Sequence, residues 1–555
     1  MGTFLGLIAG LADAVLIAAN VGNGGGMTYT PPLAWIGVIW TSVTLGTVTG
    51  LLFGSPRLGR FRGMLIGIVV AGVLVLARGM APLREITLWH TPLLAIVCLI
   101  GTTVVSIPLL FIPVQDIRRG TAWRWTAMAA VSAIALIVAG LDPQLPRWSP
   151  NAAPPDAPNV ALIFLDTVRH DDALGNPPSM PSLERFSKTA IDFENAWAPA
   201  PWTVPSHLAV LTGKNPWSPD AATTTLAERL QSRHFDTAAV SANPLLGRPA
   251  FFPGYSAFTY SKAAGVCRSA FAYLLTRSAA YGGPRIPFCA WFTASEVTSR
   301  ALDFVQRARR PYFLTVNYMD AHYPYYVPRE CHDFDASLTR QEREAFHHFN
   351  AAAPPSSALI GHVHREYRAT LACIDRSLAK LLAGLDDQHT VIVIAGDHGE
   401  QFGEHGLIEH GNSVYRQVLH VPLVIKLPHT PASRVTSAVS LTDLYATIVE
   451  ATAPDRRSTL TIFDAQKRRP AVASYDAWTS TGHSSGVSAV DGGFHYIGWA
   501  DGREAIFNDA LDPAETSPLP SPRAAELAGR LRALTQREVT RHKAINEFRA
   551  LGYIQ

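Results

Sequence analysis

Long apolar stretches separated by short polar segments fill the first quarter of the chain. A membrane-spanning helix needs about 20 consecutive, largely apolar residues. The second and fourth stretches reach this length by themselves, and the third and fifth reach it with their glycine and aromatic flanks. The pattern therefore predicts an all-α transmembrane domain of about five helices over residues 1–141. The stretches are residues 3–20, 31–53, 64–76, 91–112 and 126–141.

Arginines between these stretches indicate how the spans are oriented. One cluster, residues 57–62, lies between the second and third stretches, and another, residues 118–124, lies between the fourth and fifth. Arginine concentrates on the cytoplasmic side of membrane proteins. The first stretch lacks the basic start of a signal peptide, so we expect it to be retained. The prediction is a multi-pass protein of the cytoplasmic (inner) membrane, with the lipid bilayer as a partner and the later domain periplasmic or extracellular.

A different pattern begins after a linker rich in Pro and Ala at residues 142–158. Short, continuous apolar runs end in polar residues, and segments with helical periodicity separate them. Buried parallel strands have this pattern because both of their faces are covered. Residues 159–555 are therefore predicted to form an α/β domain with a mostly parallel sheet. The predicted strands are residues 160–165, 238–241, 312–318, 391–395 and 421–425.

The same two parts of the chain differ in their content of charged residues. The first 141 residues contain eight Arg, no Lys and three acidic residues, whereas the rest contains 39 basic and 41 acidic residues. The later domain has no basic surplus to offset phosphate charge, so nucleic acid is excluded as a partner. A hydrophobic content of 48% also excludes intrinsic disorder.

Four of the five cysteines fall in the domain predicted to lie outside the cytoplasm, where disulfides form. Cys373 is on the apolar face of a predicted helix and is interpreted as a buried thiol. A bridge between Cys267 and Cys289 is one candidate pairing. Four cysteines allow three full pairings, and the sequence does not choose among them.

Acidic, amide and imidazole side chains follow the predicted strands at their carboxyl ends. Ligands bind beyond this edge in open α/β sheets, so a convergent set indicates a site. Carboxylates together with an imidazole suit a divalent cation, with zinc or manganese preferred and calcium or magnesium as alternatives. The Asp after the first strand has helix capping as its alternative role. The polar set is Asp166, Asn243, Asp320, His322, Asp397 and His398, of which Asp166, Asp397 and His398 are the predicted metal ligands.

One threonine, Thr203, lies between the metal-type residues at the predicted start of a helix. Pro205 fits the first helical turn, and Leu208 and Leu211 continue a helical spacing. The N–H groups and dipole of a helix N-terminus favour an alkoxide and an anionic substrate. Thr203 alone would be interpreted as a helix cap, but predicted ligands on both sides of it in sequence favour a catalytic hydroxyl.

Several motifs resemble those of the alkaline phosphatase/sulfatase superfamily and occur in the family's order. They are NVALIFLDTVR at residues 159–169, WTVPSH at 202–207, LTG at 211–213, GDHGEQFGEHG at 396–406, HG at 410–411 and VPL at 421–423. The resemblance runs from about residue 159 to residue 554. It implies an alkaline-phosphatase-like, three-layer αβα fold.

The resemblance also implies roles for individual residues. Thr203 is the nucleophile, His322 serves the leaving group and His410 contacts the transferred anion. Asp320, His322 and His410 are alternatively the ligands of a second metal site. The residues around the first metal are Asp166, Thr203, Asp397 and His398, and the further substrate-binding candidates are His207, Asn243 and His405.

Two departures from the sulfatase pattern bear on the reaction. Sulfatases carry a Cys or Ser that is oxidised to formylglycine, in a Cys/Ser-x-Pro-Ser-Arg motif, whereas this chain has Thr203 first and His207 last. The secondary alcohol of threonine cannot give the aldehyde hydrate. Asp166 is followed by Thr167, where sulfatases often have a second acid. Both changes weaken the expectation of sulfatase activity.

A threonine nucleophile beneath five membrane spans instead resembles the phosphoethanolamine and phosphoglycerol transferases of bacterial envelopes. We therefore predict a membrane-bound, metal-dependent phospho-transferase or phosphodiesterase whose substrate is a phospholipid or an envelope glycan or lipid. One alternative is a sulfatase-like sulfuric ester hydrolase. The alternative from another class is a non-catalytic membrane scaffold with a decayed enzyme domain.

Overall fold

The computed structural model describes residues 157–214, 224–243, 246, 253–260, 292–308, 311–325, 331, 342, 345–346, 355–453, 461–464, 471–475, 485–520, 528–529 and 532–533. All of them belong to one of two compact units of the chain, the unit comprising residues 146–261 and 291–554. The five predicted spans, nearly all of the linker, Cys267 and Cys289 lie outside the described residues. No helix within these ranges is long and apolar enough to cross a membrane.

A nine-stranded sheet forms the centre of the described unit. Its strands are β1 (Asn159–Leu165), β2 (Ile191–Trp197), β3 (Asp236–Ser241), β4 (Ala257–Tyr260), β5 (Tyr312–Tyr318), β6 (Thr390–Gly396), β9 (His420–Lys426), β10 (Ser433–Val435) and β11 (Val439–Ser440). Their order is β10-β2-β9-β6-β1-β5-β3-β4, and β11 also pairs with β2. A separate two-stranded ribbon joins β7 (Gln401–Phe402) to β8 (Ile408–Glu409).

Five adjacent strands, β6, β1, β5, β3 and β4, run parallel, which confirms the predicted α/β class with a mostly parallel sheet. The predicted parallel direction of residues 421–425 is wrong, because β9 is antiparallel to both β6 and β2. β9 is buried like a parallel strand and therefore has the same continuous apolar pattern. After β6 the chain doubles back at the same edge of the sheet, where the N–H of Gly399 donates to the carbonyl oxygen of Val418, so β9 starts beside the end of β6 and runs antiparallel to it.

Helices cover both faces of this sheet, as a three-layer αβα fold requires. Alternate residues of β1 enter two separate cores: Leu162 packs in the core with Val210 and Ile448, and Ile163 packs in the other with Leu371. The helices are α1 (His170–Leu174), α2 (Pro181–Ser187), α3 (Thr203–Thr212), α4 (Leu226–Gln231), α5 (Ala294–Arg307), α6 (Ser357–Ala383), α7 (Arg416–Leu419) and α8 (Asp443–Ala451), with 3₁₀ turns at Glu404–Gly406 and Thr461–Phe463. Helices α3, α4 and α8 contribute to the first core, and α2, α5 and α6 to the second.

A four-stranded antiparallel sheet follows the large sheet in the chain and was not predicted from the sequence. Its strands, in spatial order, are β12 (Ala471–Tyr475), β13 (Gly486–Asp491), β14 (Phe494–Trp499) and β15 (Glu504–Asn508). Ala473, Ile497 and Phe507 from three of these strands join the first core of the large sheet. One face of the small sheet is thereby anchored to the main domain.

The interpretation of Cys373 as a buried free thiol is wrong, because the residue forms a disulfide with Cys331. Their Cα atoms are 5.6 Å apart, within the usual range for a bridge. Cys373 does lie on a buried face of α6, beside Ala369. The apolar pattern of a helix reports that a face is covered, but it does not report which segment covers it.

Candidate active site

The carboxyl ends of β6, β1, β5 and β3 meet along one edge of the large sheet. Leu165, the last residue of β1, pairs with Gly396 of β6 and with Tyr318 of β5. Asp166 and Asp397 therefore leave neighbouring strands at the same level. This is the arrangement that the strand-end pattern predicts.

Asp166, Asp397 and His398 form a candidate metal site, with one ligand atom from each lying within 4.8 Å of the others. Nε2 of His398 is 3.6 Å from Oδ1 of Asp166 and 3.7 Å from Oδ2 of Asp397. All three side chains are fully buried. In the part of the chain that the structure describes, no other group of His, Cys, Asp and Glu side chains meets this distance criterion.

The ring of His398 is held in the tautomer that a metal ligand needs. Its Nδ1 is 3.0 Å from the carbonyl oxygen of Gly399, which can only accept, so Nδ1 carries the proton and Nε2 presents its lone pair to the carboxylates. Burial, followed by the neighbouring His410, lowers the pKa of His398 well below its usual value and keeps the ring neutral. The tight turn requires glycine, because a Cβ at Gly399 would lie 2.1 Å from the carbonyl oxygen of Gln417.

Asp397 has one oxygen held by the backbone and one left for a ligand. Oδ1 accepts hydrogen bonds from the N–H groups of Thr167 and His398, at 3.2 and 2.9 Å. Oδ2 is buried and accepts none. Burial, and then the adjacent Asp166, raise the pKa of Asp397 well above its usual value. Two buried carboxylates, one orphaned oxygen and a neutral imidazole fit a bound divalent cation, whose charge would offset the carboxylates.

Thr167 has an unusual backbone conformation that serves this arrangement. Its φ is 61°, in the left-handed region that β-branched residues rarely adopt. The hydroxyl of Tyr367 donates to the carbonyl oxygen of Thr167 at 2.8 Å, and it accepts from the N–H of Arg169. The strained residue thus directs its own N–H toward Asp397, and backbone strain of this kind is common at functional sites.

The hydroxyl of Thr203 contacts the candidate metal ligands, and Thr203 is the first residue of α3, as the sequence predicts. Its Oγ1 is 3.5 Å from Oδ1 of Asp166 and 3.3 Å from Nε2 of His398. The N–H groups of Thr203 and Val204 belong to the first turn, where the helix itself supplies no acceptors. A hydroxyl, a candidate cation site and a helix N-terminus therefore converge on one point.

Two asparagines complete the surroundings of Asp166. Nδ2 of Asn243, a predicted substrate-binding residue, donates to Oδ2 of Asp166 at 2.9 Å and to Oγ1 of Thr203 at 3.4 Å. Nδ2 of Asn317 is 3.5 Å from Oδ2 of Asp166, and Oδ1 of Asn317 accepts from the N–H of Asn243. Sequence reasoning missed Asn317, although a polar residue inside the apolar run of β5 was a usable signal.

His207, also predicted to bind substrate, lies buried behind Thr203. Its Nδ1 is 3.0 Å from the carbonyl oxygen of Thr203 and 3.4 Å from Oδ2 of Asp397. Its ring packs on Phe164, with the ring centroids 4.0 Å apart. Burial lowers the pKa of His207 to about 4. In this position the ring contacts both the start of α3 and Asp397.

His322 and His410 lie together beside His398. The ring centroid of His410 is 4.4 Å from that of His398 and 4.9 Å from that of His322. Nδ1 of His410 is 2.9 Å from Oε1 of Glu400, a buried residue to which the sequence analysis gave no role. Burial lowers the pKa of His410, but Glu400 outweighs it, so the pKa lies above its usual value. A raised pKa fits the predicted contact with a transferred anion.

Asp320 and His405 have contacts other than those predicted. Oδ1 of Asp320 accepts from the N–H of Ala294 at the start of α5, which is a helix-capping contact. The alternative second metal site of Asp320, His322 and His410 is absent from the candidate metal clusters of the described residues. The ring of His405 stacks on Tyr415 with a centroid distance of 3.6 Å.

Comparison with known proteins identifies the family. The sequence model of the family described as Sulfatase matches residues 158–453, just over half of the chain. The chain belongs to the sulfatase family. The match covers the large sheet and every residue of the candidate metal site.

Individual relatives of this sulfatase-family chain are distant. The uncharacterized sulfatase YidJ of Escherichia coli K12 is 28% identical over 176 residues, which is 28% of this chain and 35% of the relative. A sulfatase of Formosa agariphila is 22% identical over 423 residues, covering 65% and 82% of the two chains. Among solved structures, a phosphonate monoester hydrolase from Silicibacter pomeroyi superposes with a TM-score of 0.53 at 19% identity, covering 69% of this chain and 96% of that one.

Family membership confirms the prediction of an enzyme that acts on esters in a metal-dependent superfamily. The buried cluster of Asp166, Asp397 and His398 is intact, with Thr203 beside it. The interpretation of the domain as a decayed scaffold is therefore set aside. The coarser prediction, a hydrolase of the alkaline phosphatase/sulfatase type, is confirmed.

Proposed function

We propose that this chain is a metal-dependent phosphodiesterase or phospho-transferase in which Oγ1 of Thr203 is the nucleophile. The observation that carries the proposal is the position of this hydroxyl, 3.3 Å from His398 and 3.5 Å from Asp166 at the N-terminus of α3. A cation held by Asp166, Asp397 and His398 would supply Lewis-acid charge beside the hydroxyl and the substrate oxygens. We propose zinc or manganese, because the donor set includes an imidazole.

Phosphorus is favoured over sulfur by the chemistry of threonine. A formylglycine hydrate carries two hydroxyls, so its ester can be released by collapse to the aldehyde. Thr203 has one hydroxyl, so its ester must be cleaved by a second displacement at the transferred atom. Phosphoryl transfer needs mainly positioning and charge stabilisation, which this site offers.

Each residue of the site has a separate role in the proposed reaction. Oγ1 of Thr203 passes its proton to its hydrogen-bond acceptor, Oδ1 of Asp166, and forms a bond to phosphorus, while the bond from phosphorus to the leaving oxygen breaks. Nε2 of His322 donates a proton to the leaving oxygen, and His410 with the N–H groups of α3 contacts the phosphoryl oxygens. Water or an acceptor alcohol then cleaves the phosphothreonine. Asn243 orients Thr203 and Asp166 by hydrogen bonds to both.

A comparison of two aryl esters tests the choice of phosphorus. We expect kcat/KM for an aryl phosphodiester to exceed that for an aryl sulfate by about 100-fold or more, because only the former gives an ester that threonine can readily release. Sulfate ester hydrolysis is the second candidate, and the curated sulfatase relatives favour it. If the aryl sulfate were turned over efficiently and Thr203→Ala abolished that turnover, the substrate would be a sulfate ester and Thr203 would still be the nucleophile.

We also propose that the enzyme is anchored in the cytoplasmic membrane with this domain outside. The apolar stretches and arginine clusters of residues 1–141 support the anchoring and its orientation. The bridge between Cys331 and Cys373 adds support, because disulfides persist in oxidising compartments. An outward-facing site beside a bilayer would act on a phospholipid or on an envelope glycan or lipid.

Reporter fusions after Gln555 test this orientation. We expect an alkaline phosphatase fusion to be active and a green fluorescent protein fusion to be dark, because the former needs export and the latter matures in the cytoplasm. The Cys331–Cys373 bridge should be resistant to thiol labelling in intact cells until a reductant is added. A fluorescent fusion together with an inactive phosphatase fusion would contradict the topology.

A further inference from the structure

We propose that Glu400 is a positioning residue, which fixes the ring of His410 so that Nε2 faces the group transferred from the substrate. This inference rests on the proposed function, because it takes His410 as the contact of the transferred anion. The role is specific to the pair. A substitution of Glu400 should therefore lower kcat/KM only while His410 is present.

Glu400 is fully buried, and each of its carboxylate oxygens has a defined partner. Oε1 is 2.9 Å from Nδ1 of His410, and Oε2 accepts from the hydroxyl of Tyr325 at 3.1 Å. The carbonyl oxygen of Glu400 also accepts from the guanidinium of Arg169 at 3.4 Å. Tyr325 thus holds the carboxylate oxygen that does not face His410, and Arg169 contacts the backbone of the same residue, so Glu400 is a fixed acceptor. A hydrogen bond from Nδ1 to it leaves Nε2 as the ring nitrogen for substrate.

The neighbouring histidines show the same arrangement with different acceptors. Nδ1 of His398 is held by the carbonyl oxygen of Gly399, and Nδ1 of His322 is 2.8 Å from the carbonyl oxygen of Tyr323. Each of these rings therefore keeps Nε2 for the site. The acceptor at Nδ1 of His410 is a side chain, whereas those of His398 and His322 are backbone carbonyls, so a substitution can remove the acceptor of His410 without changing the backbone.

Glu404 provides a matched control on the same loop. Its Oε1 accepts from Arg169 at 2.7 Å, and its Oε2 accepts from the N–H of Phe402 at 2.6 Å. It thus supports the loop by carboxylate contacts like those of Glu400, but these contacts are with Arg169 and Phe402 rather than with His410. A loss caused by loosening this loop would be common to both residues.

A double-mutant cycle on the metal-loaded, full-length protein tests the inference. We expect Glu400→Gln to lower kcat/KM by about 10- to 100-fold in the wild-type background and by less than about 2-fold in His410→Ala. The dissociation constant for inorganic phosphate, measured by calorimetry, should show the same coupling. Tyr325→Phe should give a smaller loss that also depends on His410. Metal content should stay unchanged in Glu400→Gln.

If Glu400→Gln lowered kcat/KM by the same factor with and without His410, the inference would be overturned. Loss of metal in Glu400→Gln would also overturn it. Glu404→Gln should give the same loss in both backgrounds. The cycle is run with an aryl phosphodiester and an aryl sulfate. Faster turnover of the aryl sulfate would contradict the proposed function. The dependence of the Glu400→Gln loss on His410, measured with whichever ester is turned over faster, tests the role of Glu400. A failure of the proposed function can therefore be told apart from a failure of this inference.

Discussion

Replacing Thr203 by Ala should abolish turnover, with a fall in kcat on the order of 10⁴-fold or more. The hydroxyl of Thr203 is the only hydroxyl recorded within 3.5 Å of both Asp166 and His398 among the described residues. The fold should survive, because Thr203 is at the first position of α3, where alanine is a good helix former. Steady-state kinetics and a thermal unfolding curve measure the two effects separately.

Thr203→Ser is the matched variant for this prediction. It keeps the hydroxyl but loses the methyl group that restricts rotation about χ1, so we expect partial activity. Substantial activity in Thr203→Ala would show that another group attacks the substrate. Equal inactivity of the Ser and Ala variants with intact folds would show that a hydroxyl at this position is insufficient.

Asp397→Ala and His398→Ala should each lose the bound metal and the activity. Each variant removes one of three ligands, and Asp397→Ala also removes the buried oxygen that accepts no hydrogen bond in this structure. We expect metal affinity to fall by at least about 100-fold, since loss of supporting residues alone costs 10- to 100-fold. Elemental analysis after exhaustive dialysis against buffer gives the metal content directly.

Asp375→Ala is the control for removing a buried carboxylate elsewhere. Asp375 lies in α6 and accepts from the N–H groups of Ser182 and Leu183. This variant should be less stable, because it leaves backbone donors without a partner, and it should keep its metal. Unchanged metal content in both Asp397→Ala and His398→Ala would contradict the assigned site.

Much of the large sheet follows from apolar runs, and the exceptions have physical causes. The parallel strands are short, buried and continuous, so β1, β5 and β6 can be predicted almost to their ends. β9 has the same pattern in the opposite direction, because burial determines the pattern and the connection determines the direction. The small sheet and the Cys331–Cys373 bridge depend on contacts between distant segments, which local periodicity does not encode.

The central residues of the site were predictable because they follow the parallel strands. Asp166, Asn243 and Asp397 each come directly or almost directly after a strand, so the topology brings them together. Asn317 and Glu400 were missed for different reasons. Asn317 lies within its strand rather than after it, and the role of Glu400 depends on the return of the chain to His410.

The central claim, that Thr203 attacks phosphorus, is tested most directly by a mass spectrum of its tryptic peptide. Trypsin cuts after Lys188 and Lys214 and not between them, so Thr203 lies in the peptide of residues 189–214. After a short reaction with a slow aryl phosphodiester and an acid quench, fragmentation should locate a phosphoryl group bearing the substrate's second ester substituent on Thr203. An unmodified Thr203 under turnover, or a sulfate on Thr203 with an aryl sulfate as the only productive substrate, would contradict the claim.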